Sequence, residues 1–328
     1  MQTTDSNTKT QKRVAVQFYG YLRSYKECRD SFFKHFVESF EKAGYKVDIF
    51  MHSWDFIEGR VTSWHTEKTT ENLPEPTKTP PKEELISLYG LKDIDITPQA
   101  KSENDEKFLA IRWRKKYRYK SLANEYFSIF SANKLRLKYE AQHNINYDFV
   151  IITRPDLFFH KAFNLEFLGD EKAIRGKRFK DKLFGFYNLH EGEQAGLDLL
   201  YMANPQVINK IANIYPSLDY EKLNNADLFN PESVLQNFML DNKIELLALQ
   251  SWASSPYSIK RTGEYIAYRV QEVPQTVTIS RKDFERLKRL EHLSGFVCYY
   301  TNKKMAILRK NTRAIRYPIK AFFRRLFA

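Results

Sequence analysis

Three short stretches put chemically capable side chains just after apolar runs. The first is Tyr19-Gly20-Tyr21-Leu22-Arg23, which follows RVAVQF (13–18). In parallel α/β sheets ligands lie at the carboxyl ends of strands. Gly20 there lets backbone approach a ligand, Arg23 can pair with a phosphate, and Tyr19 or Tyr21 can stack on a base. The plainer alternative is a turn with an arginine ion pair. The second stretch, His52-Ser53-Trp54-Asp55, closes KVDIFMHSW (46–54) at the same predicted edge; its alternative is a packed tryptophan with a capping aspartate. The third, Thr153-Arg154-Pro155-Asp156, closes FVIIT. A carboxylate at that place can hold magnesium or manganese against a bound diphosphate, with waters completing the octahedral shell. A D-x-D pair is absent, because Arg154 occupies the place of the first carboxylate. Arg154 can neutralise phosphate without metal, or simply pair with Asp156.

Carboxylates that could move protons come later in the chain. Glu191 and Glu193 flank Gly192, and Asp198 follows. Such groups after glycine turns are candidate general bases, with Asp198 or Glu193 preferred as the base and Glu191 placed on an acceptor side. Solvated loop carboxylates are the ordinary alternative. Glu232, in Asn230-Pro231-Glu232, stands at a predicted helix start, where it either complements the helix N-terminus or serves an acceptor side.

The elements that must carry these residues read as α/β. RVAVQF is β-branched and apolar, a buried strand. Residues 24–43 have apolar side chains at helical spacing and end at Gly44, a natural C-cap. KVDIFMHSW then makes strand–helix–strand, the mark of a parallel unit. A Thr/Pro/Glu-rich loop spans 59–84, a short helix 85–91 and a short strand 91–96. Residues 108–142 read as one long helix or two abutting ones, and YDFVIITRPDLFF (147–159) is the most strand-like stretch of the chain. Residues 196–203 and 244–250 read as further strands. Helices at 204–215 and 230–242 both begin Asn-Pro, with cap and first position filled.

The 328 residues carry 53 Lys and Arg against 40 Asp and Glu, a net charge of +13. Nine of those excess charges follow Glu291, the last acidic residue, and interleave with Ile307, Leu308, Ile315, Phe322, Phe323 and Leu326. Basic residues mixed with large apolar ones read as a membrane-surface helix over 303–327. A basic helix packed on its own domain is the alternative; nucleic acid is not expected, because no RNA-binding motif accompanies the charge. Two cysteines, Cys28 and Cys298, exclude a disulfide scaffold and a Cys-rich zinc site and favour a reducing compartment. Eleven glycines include no G-x-G-x-x-G or P-loop, and neither H-E-x-x-H nor G-x-S-x-G occurs. Dinucleotide dehydrogenases, P-loop NTPases, zincins and α/β-hydrolases are thereby disfavoured. The N-terminus MQTTDSNTKTQKR is polar, with no secretory apolar core, and no run approaches the ~20 apolar residues of a membrane span. The expected organisation is a disordered 1–12, a catalytic domain over 13–275 and a basic helical segment over 276–328.

In their order, VAVQFYGYLR, VDIFMHSWD, YDFVIITRPDLFF, GLDLLYMANP and NPESVLQNFMLDNKI resemble bacterial glycosyltransferases of surface polysaccharides: capsule, lipopolysaccharide and lipooligosaccharide. The resemblance covers roughly residues 13–250. It implies a GT-A-like fold with a mixed, mainly parallel sheet, whose first half binds a nucleotide-sugar donor and whose second half shapes the acceptor site. It places Tyr19, Gly20, Arg23, His52, Trp54, Asp55, Arg154 and Asp156 on the donor side, with Asp156 at the D-x-D-like position. It implies a glycan or lipid-linked acceptor at the inner face of the cytoplasmic membrane, which the basic tail suits. Two other classes fit the charge: a non-enzymatic basic adaptor for membrane or nucleic acid, and a phosphate- or sulfate-type transferase that uses Arg23 and Arg154 as anion clamps.

Overall fold

A computed structural model of the chain describes residues 11–58, 77–98, 116–168, 179–187, 198–218, 231–251 and 255–260. The chain divides into two units, Met1–Val270 and Gln271–Ala328, and every described residue belongs to the first.

The main sheet has seven strands in the order β3-β2-β1-β4-β7-β6-β8. They are β1 (Lys12–Phe18), β2 (Tyr45–Trp54), β3 (Leu91–Thr97), β4 (Phe149–Thr153), β6 (Lys182–Tyr187), β7 (Leu200–Ala203) and β8 (Glu245–Ser251). Strands β3, β2, β1 and β4 run parallel. β7 is antiparallel to both neighbours, and β8 pairs parallel with β6. One strand of the seven is thus reversed, in agreement with the expected mixed, mainly parallel sheet.

Alternation along β1 sets the two layers. Val14, Val16 and Phe18 point into one core with Phe32, Phe36 and Phe40. Those phenylalanines lie on a continuous helical run: α1 (Tyr25–Phe32), a π turn (Phe33–Val37) and α2 (Glu38–Lys42). Gly44 ends the run at φ +82, as a helix-terminating glycine does. α3 (Lys82–Tyr89) closes on Gly90 at φ +62 and adds Leu85 and Tyr89 to the same core. Ala15 and Tyr19 point into the opposite core, with residues of α4 (Lys116–His143), α5 (Pro205–Ala212) and α6 (Pro231–Asp241). Asn204 caps α5 by accepting the Val207 N–H at 2.9 Å, with Pro205 at the first position.

The stretch 147–159 is two strands rather than one. β4 stops at Thr153, Arg154-Pro155-Asp156 turns the chain, and β5 (Leu157–Phe159) pairs antiparallel with β9 (Tyr257–Ile259) in a separate two-stranded sheet. Pro155 has no N–H to donate to a ladder, so the main-sheet pairing ends before it. That corner carries the candidate chemistry out of the sheet plane. Residues 59–76 of the expected loop and the basic segment 276–328 lie outside the described residues; the helix expected to follow that loop begins at Lys82, three residues inside it.

Candidate functional site

The strand order changes direction between β1 and β4: β1 leads outward through β2 to β3, then the chain crosses back to β4. Ligands of open α/β sheets bind outside the carboxyl ends of strands at such a switch point. Here the crossing is closed by Tyr19 N–H donating to Thr153 O at 3.1 Å. The loops after β1 and β4 meet above it.

Asp156 is the centre of that meeting. It is fully buried, and its carboxylate accepts from Arg23 Nη1 at 2.9 Å, from Arg154 Nε at 2.9 Å and from Arg154 Nη2. Its backbone carbonyl accepts the Lys260 N–H at 2.9 Å, which ties the corner to the end of β9. Arg23 takes φ +48, a left-handed conformation that costs a non-glycine residue on the order of 1 kcal/mol. Its N–H on Ile57 O, at 2.9 Å, and its side chain on Asp156 hold it there. Burial lowers the affinity of Arg23 for its proton, and the neighbouring Arg154 charge lowers it further. Two guanidinium groups thus share one carboxylate.

Asp156 was expected to hold a divalent metal, and its surroundings do not fit that task. Both oxygens are taken by guanidinium N–H groups, and no surface is exposed. Among the described residues no group of three or more His, Cys, Asp or Glu is arranged to hold a metal ion. The ion pair between Arg154 and Asp156, the plainer sequence reading, is what forms.

A second set of groups lies on the α4 and α6 side. The Asp198 side chain hydrogen-bonds the Glu232 side chain. Two carboxyl groups so joined need a proton between them. Burial raises the Asp198 pKa, while Arg154 acts in the opposite sense. Glu125 on α4 is pushed well above the usual carboxylate range, first by burial and then by the charges of Asp198 and Glu232. Phenols enclose the set. Tyr19 donates to Asp198 O, and Tyr126 donates to Pro231 O at 2.8 Å. Tyr201, on β7 with 1% of its surface exposed, has a hydroxyl with no hydrogen-bond partner. Pairs of titratable groups with raised pKa values, set beside fixed cations, are what acid–base chemistry at neutral pH requires.

The edge of β2 supports the site from behind. Gly20, at φ +88, donates its N–H to Ser128 Oγ at 2.7 Å; a Cβ there would meet nothing within 4 Å, so glycine is needed for its φ. Ser128 Oγ lies 2.7 Å from His52 Nδ1, and His52 Nε2 lies 3.0 Å from Thr97 Oγ1. Thr97 donates to Asp95 at 3.2 Å. That last bond uses the Thr97 proton, so Nε2–H must donate to Thr97 and Ser128 must donate to Nδ1. Burial lowers the His52 pKa to about 4, which keeps the ring neutral in this chain of bonds. His52 and Trp54, expected on the donor side, are both enclosed. Trp54 is 1% exposed, stacks on Phe127 with centroids 5.6 Å apart and meets Tyr21 at 6.3 Å. Asp55 is half-buried and knit to β3 by its N–H on Thr97 O at 3.2 Å.

The fold therefore gathers Tyr19, Gly20, Arg23, Arg154, Asp156, Asp198 and Glu232 and sets His52 and Trp54 behind them. Glu191 and Glu193 lie outside the described residues. Glu125, Ser128 and Tyr201 escaped the sequence reading. On a long helix Glu125 is one polar residue among many, and only its tertiary neighbours distinguish it. No protein-family model matches the chain, and no curated protein sequence matches it.

Proposed function

We propose that the chain is a glycosyltransferase that moves a sugar from a nucleotide-sugar donor to a bacterial surface glycan or a lipid-linked acceptor. One observation carries the reading: at the β1/β4 switch point two guanidinium groups stand beside a proton-sharing carboxyl pair. The first can hold a leaving diphosphate, and the second can take the proton of an attacking hydroxyl. The mainly parallel sheet with helices on both faces is what a GT-A-like catalytic domain calls for, and the order of the sequence motifs agrees with it.

In this reading the loops after β1 and β4 hold the donor. Gly20 leaves open space for its backbone-lined approach. Arg23 and Arg154 balance the charge that develops on the diphosphate as the bond from its oxygen to the anomeric carbon breaks. The acceptor hydroxyl attacks that carbon, and its proton passes to the Asp198–Glu232 pair. A carboxylate of raised pKa is a stronger base at neutral pH than a solvated one. Residues 303–327 tether the enzyme to the inner leaflet, where lipid-linked acceptors are presented. No helix among the described residues is long and apolar enough to cross a membrane.

A thermal-shift panel of nucleoside diphosphates and their sugars, with and without manganese, tests the reading, because a ligand of the folded state raises its stability. At least one diphosphate should stabilise the chain without manganese, and Arg154→Lys, which loses the two-pronged donor, should weaken the effect. Stabilisation by a phosphosulfate donor alone would move the assignment to the phosphate- or sulfate-transfer class. A chain that responds to no nucleotide would overturn the enzyme reading.

A further inference from the structure

Among the described bonds, three backbone N–H groups tie the loop Tyr19–Arg23 to its surroundings. Tyr19 donates to Thr153 O at 3.1 Å and Arg23 to Ile57 O at 2.9 Å, both backbone carbonyls that the fold itself sets in place. Gly20 donates instead to a side chain, Ser128 Oγ, at 2.7 Å. It sits at φ +88 with open space where a Cβ would be, so no packing of its own holds it. Its position therefore depends on what holds the Ser128 hydroxyl, and that is a chain of bonds running away from the site. Asp95 on β3 begins it: one oxygen faces Lys82 Nζ at 3.7 Å, and the other accepts the Thr97 hydroxyl at 3.2 Å. A carboxylate only accepts and a hydroxyl has one proton, so Thr97 Oγ1 is left to accept from His52 Nε2–H at 3.0 Å. Burial keeps the ring neutral, so Nδ1 is an acceptor, and Ser128 donates to it at 2.7 Å. Ser128 then turns a lone pair to Gly20. His52 and Ser128 are fully buried and Thr97 is 5% exposed, so water does not compete at these links. Bonds aligned head to tail in this way strengthen one another.

We propose that Thr97, His52 and Ser128 are positioning residues: acting in sequence, they fix the Gly20 N–H and with it the shape of the loop that presents Arg23. The link to donor binding rests on the glycosyltransferase reading of that loop; the chain of bonds stands without it. Its logic is directional. Loss of the Thr97 hydroxyl removes the acceptor that keeps the ring proton of His52 on Nε2. The proton then sits on Nδ1, which donates to Ser128 Oγ. Ser128 must now accept two N–H groups and can no longer donate to the ring, so Gly20 is held less firmly. Thr97, whose hydroxyl bonds His52 and Asp95 rather than the loop, thereby sets the loop through the tautomer of a buried histidine.

Two measurements on the full chain test this. In long-range proton–nitrogen spectra of histidine-labelled protein, with His52 assigned by its loss in His52→Gln, the ring should carry its proton on Nε2. In Thr97→Val the proton should move to Nδ1, the Gly20 amide resonance should shift and its hydrogen exchange should quicken. Thr97→Ser, which keeps the hydroxyl, should leave all three as they are in the unaltered chain. Calorimetric titration with inorganic pyrophosphate reads the consequence at the arginines. Thr97→Val and Ser128→Ala should each weaken binding about fivefold, the worth of one hydrogen bond, and Thr97→Ser should not. Ser128→Ala leaves His52 Nδ1 and the Gly20 N–H unpaired, so Thr97→Val carries the test if that variant does not fold. A ring proton on Nδ1 in the unaltered chain, or a Gly20 amide indifferent to Thr97→Val, overturns the proposal. Equal losses in Thr97→Ser and Thr97→Val overturn it in favour of simple packing at that position. Pyrophosphate binding that neither Thr97→Val nor Ser128→Ala alters overturns the positioning role. A Gly20 amide that follows the tautomer, in a chain that binds neither pyrophosphate nor any nucleotide, upholds the control of the loop and refutes the donor reading instead.

Discussion

Replacing Asp156 by asparagine is the most direct perturbation of the architecture described above. The substitution keeps the shape and removes the charge that two guanidinium groups share. It also turns one oxygen into an NH₂ group that faces N–H donors. Removing one partner of a buried ion pair costs about 3–5 kcal/mol, because the other charge stays buried and unpaired. Arg23 and Arg154 keep 23% and 12% of their side-chain surface, so water relieves part of their mutual repulsion. We therefore expect about 3 kcal/mol, the low end of that range. A domain of this size loses roughly 2–4 °C in Tm per kcal/mol, so the transition should fall by roughly 6–12 °C. Urea unfolding followed by tryptophan fluorescence measures the free energy, and calorimetry measures Tm. Adding Arg23→Met to Asp156→Asn removes one of the two repelling charges, so the double variant should recover about 1 kcal/mol, a coupling that independent sites do not show. A loss below about 1 kcal/mol in Asp156→Asn, or strictly additive losses in the double variant, would refute the shared-carboxylate account.

Further outcomes follow from the same geometry. His52 is neutral in the folded chain with a pKa of about 4, against about 6.5 when unfolded, so the unfolded chain takes up the proton first as pH falls. Stability should drop by about 3 kcal/mol between pH 6.5 and 4, and His52→Gln should flatten that slope in acid-induced unfolding. Glu125 titrates in the opposite sense: its folded pKa is raised, so its contribution is lost as pH climbs from the carboxylate range through the folded value. Glu125→Gln should therefore narrow the stability difference between mildly acidic and mildly alkaline buffer; an unchanged difference would place its carboxyl in water. Truncation after Asn302 should leave nucleotide binding intact and reduce co-sedimentation with anionic vesicles, with attachment of the intact chain weakening as salt rises. A truncated chain that still sediments fully would return residues 303–327 to a packed structural role.

Much of the scaffold was written in local sequence. The β-branched run 13–18, the apolar spacing through 24–43 ended by Gly44, and the Asn-Pro start at 204 specify strand, helix, stop and cap through interactions within a few residues. The loops that carry Arg23, Arg154 and Asp156 were legible for the same reason, since each follows a strand whose pattern is plain. Partnership was not legible. Whether Asp156 holds a metal or two arginines depends on the distance between loops more than 130 residues apart in the chain. The reversed direction of β7 depends on its pairing with β4, and that pairing sets Tyr201 opposite Ile152. Trp54 and His52 read as ligand contacts because their positions at a strand end permit it; the packing of Phe127 and the bond to Ser128, both from α4, enclose them. Local propensity and capping act over one or two turns of chain, so the sequence by itself determines elements. Burial and charge balance arise only where distant elements meet, so the tertiary structure alone decides which of the charged residues are paired.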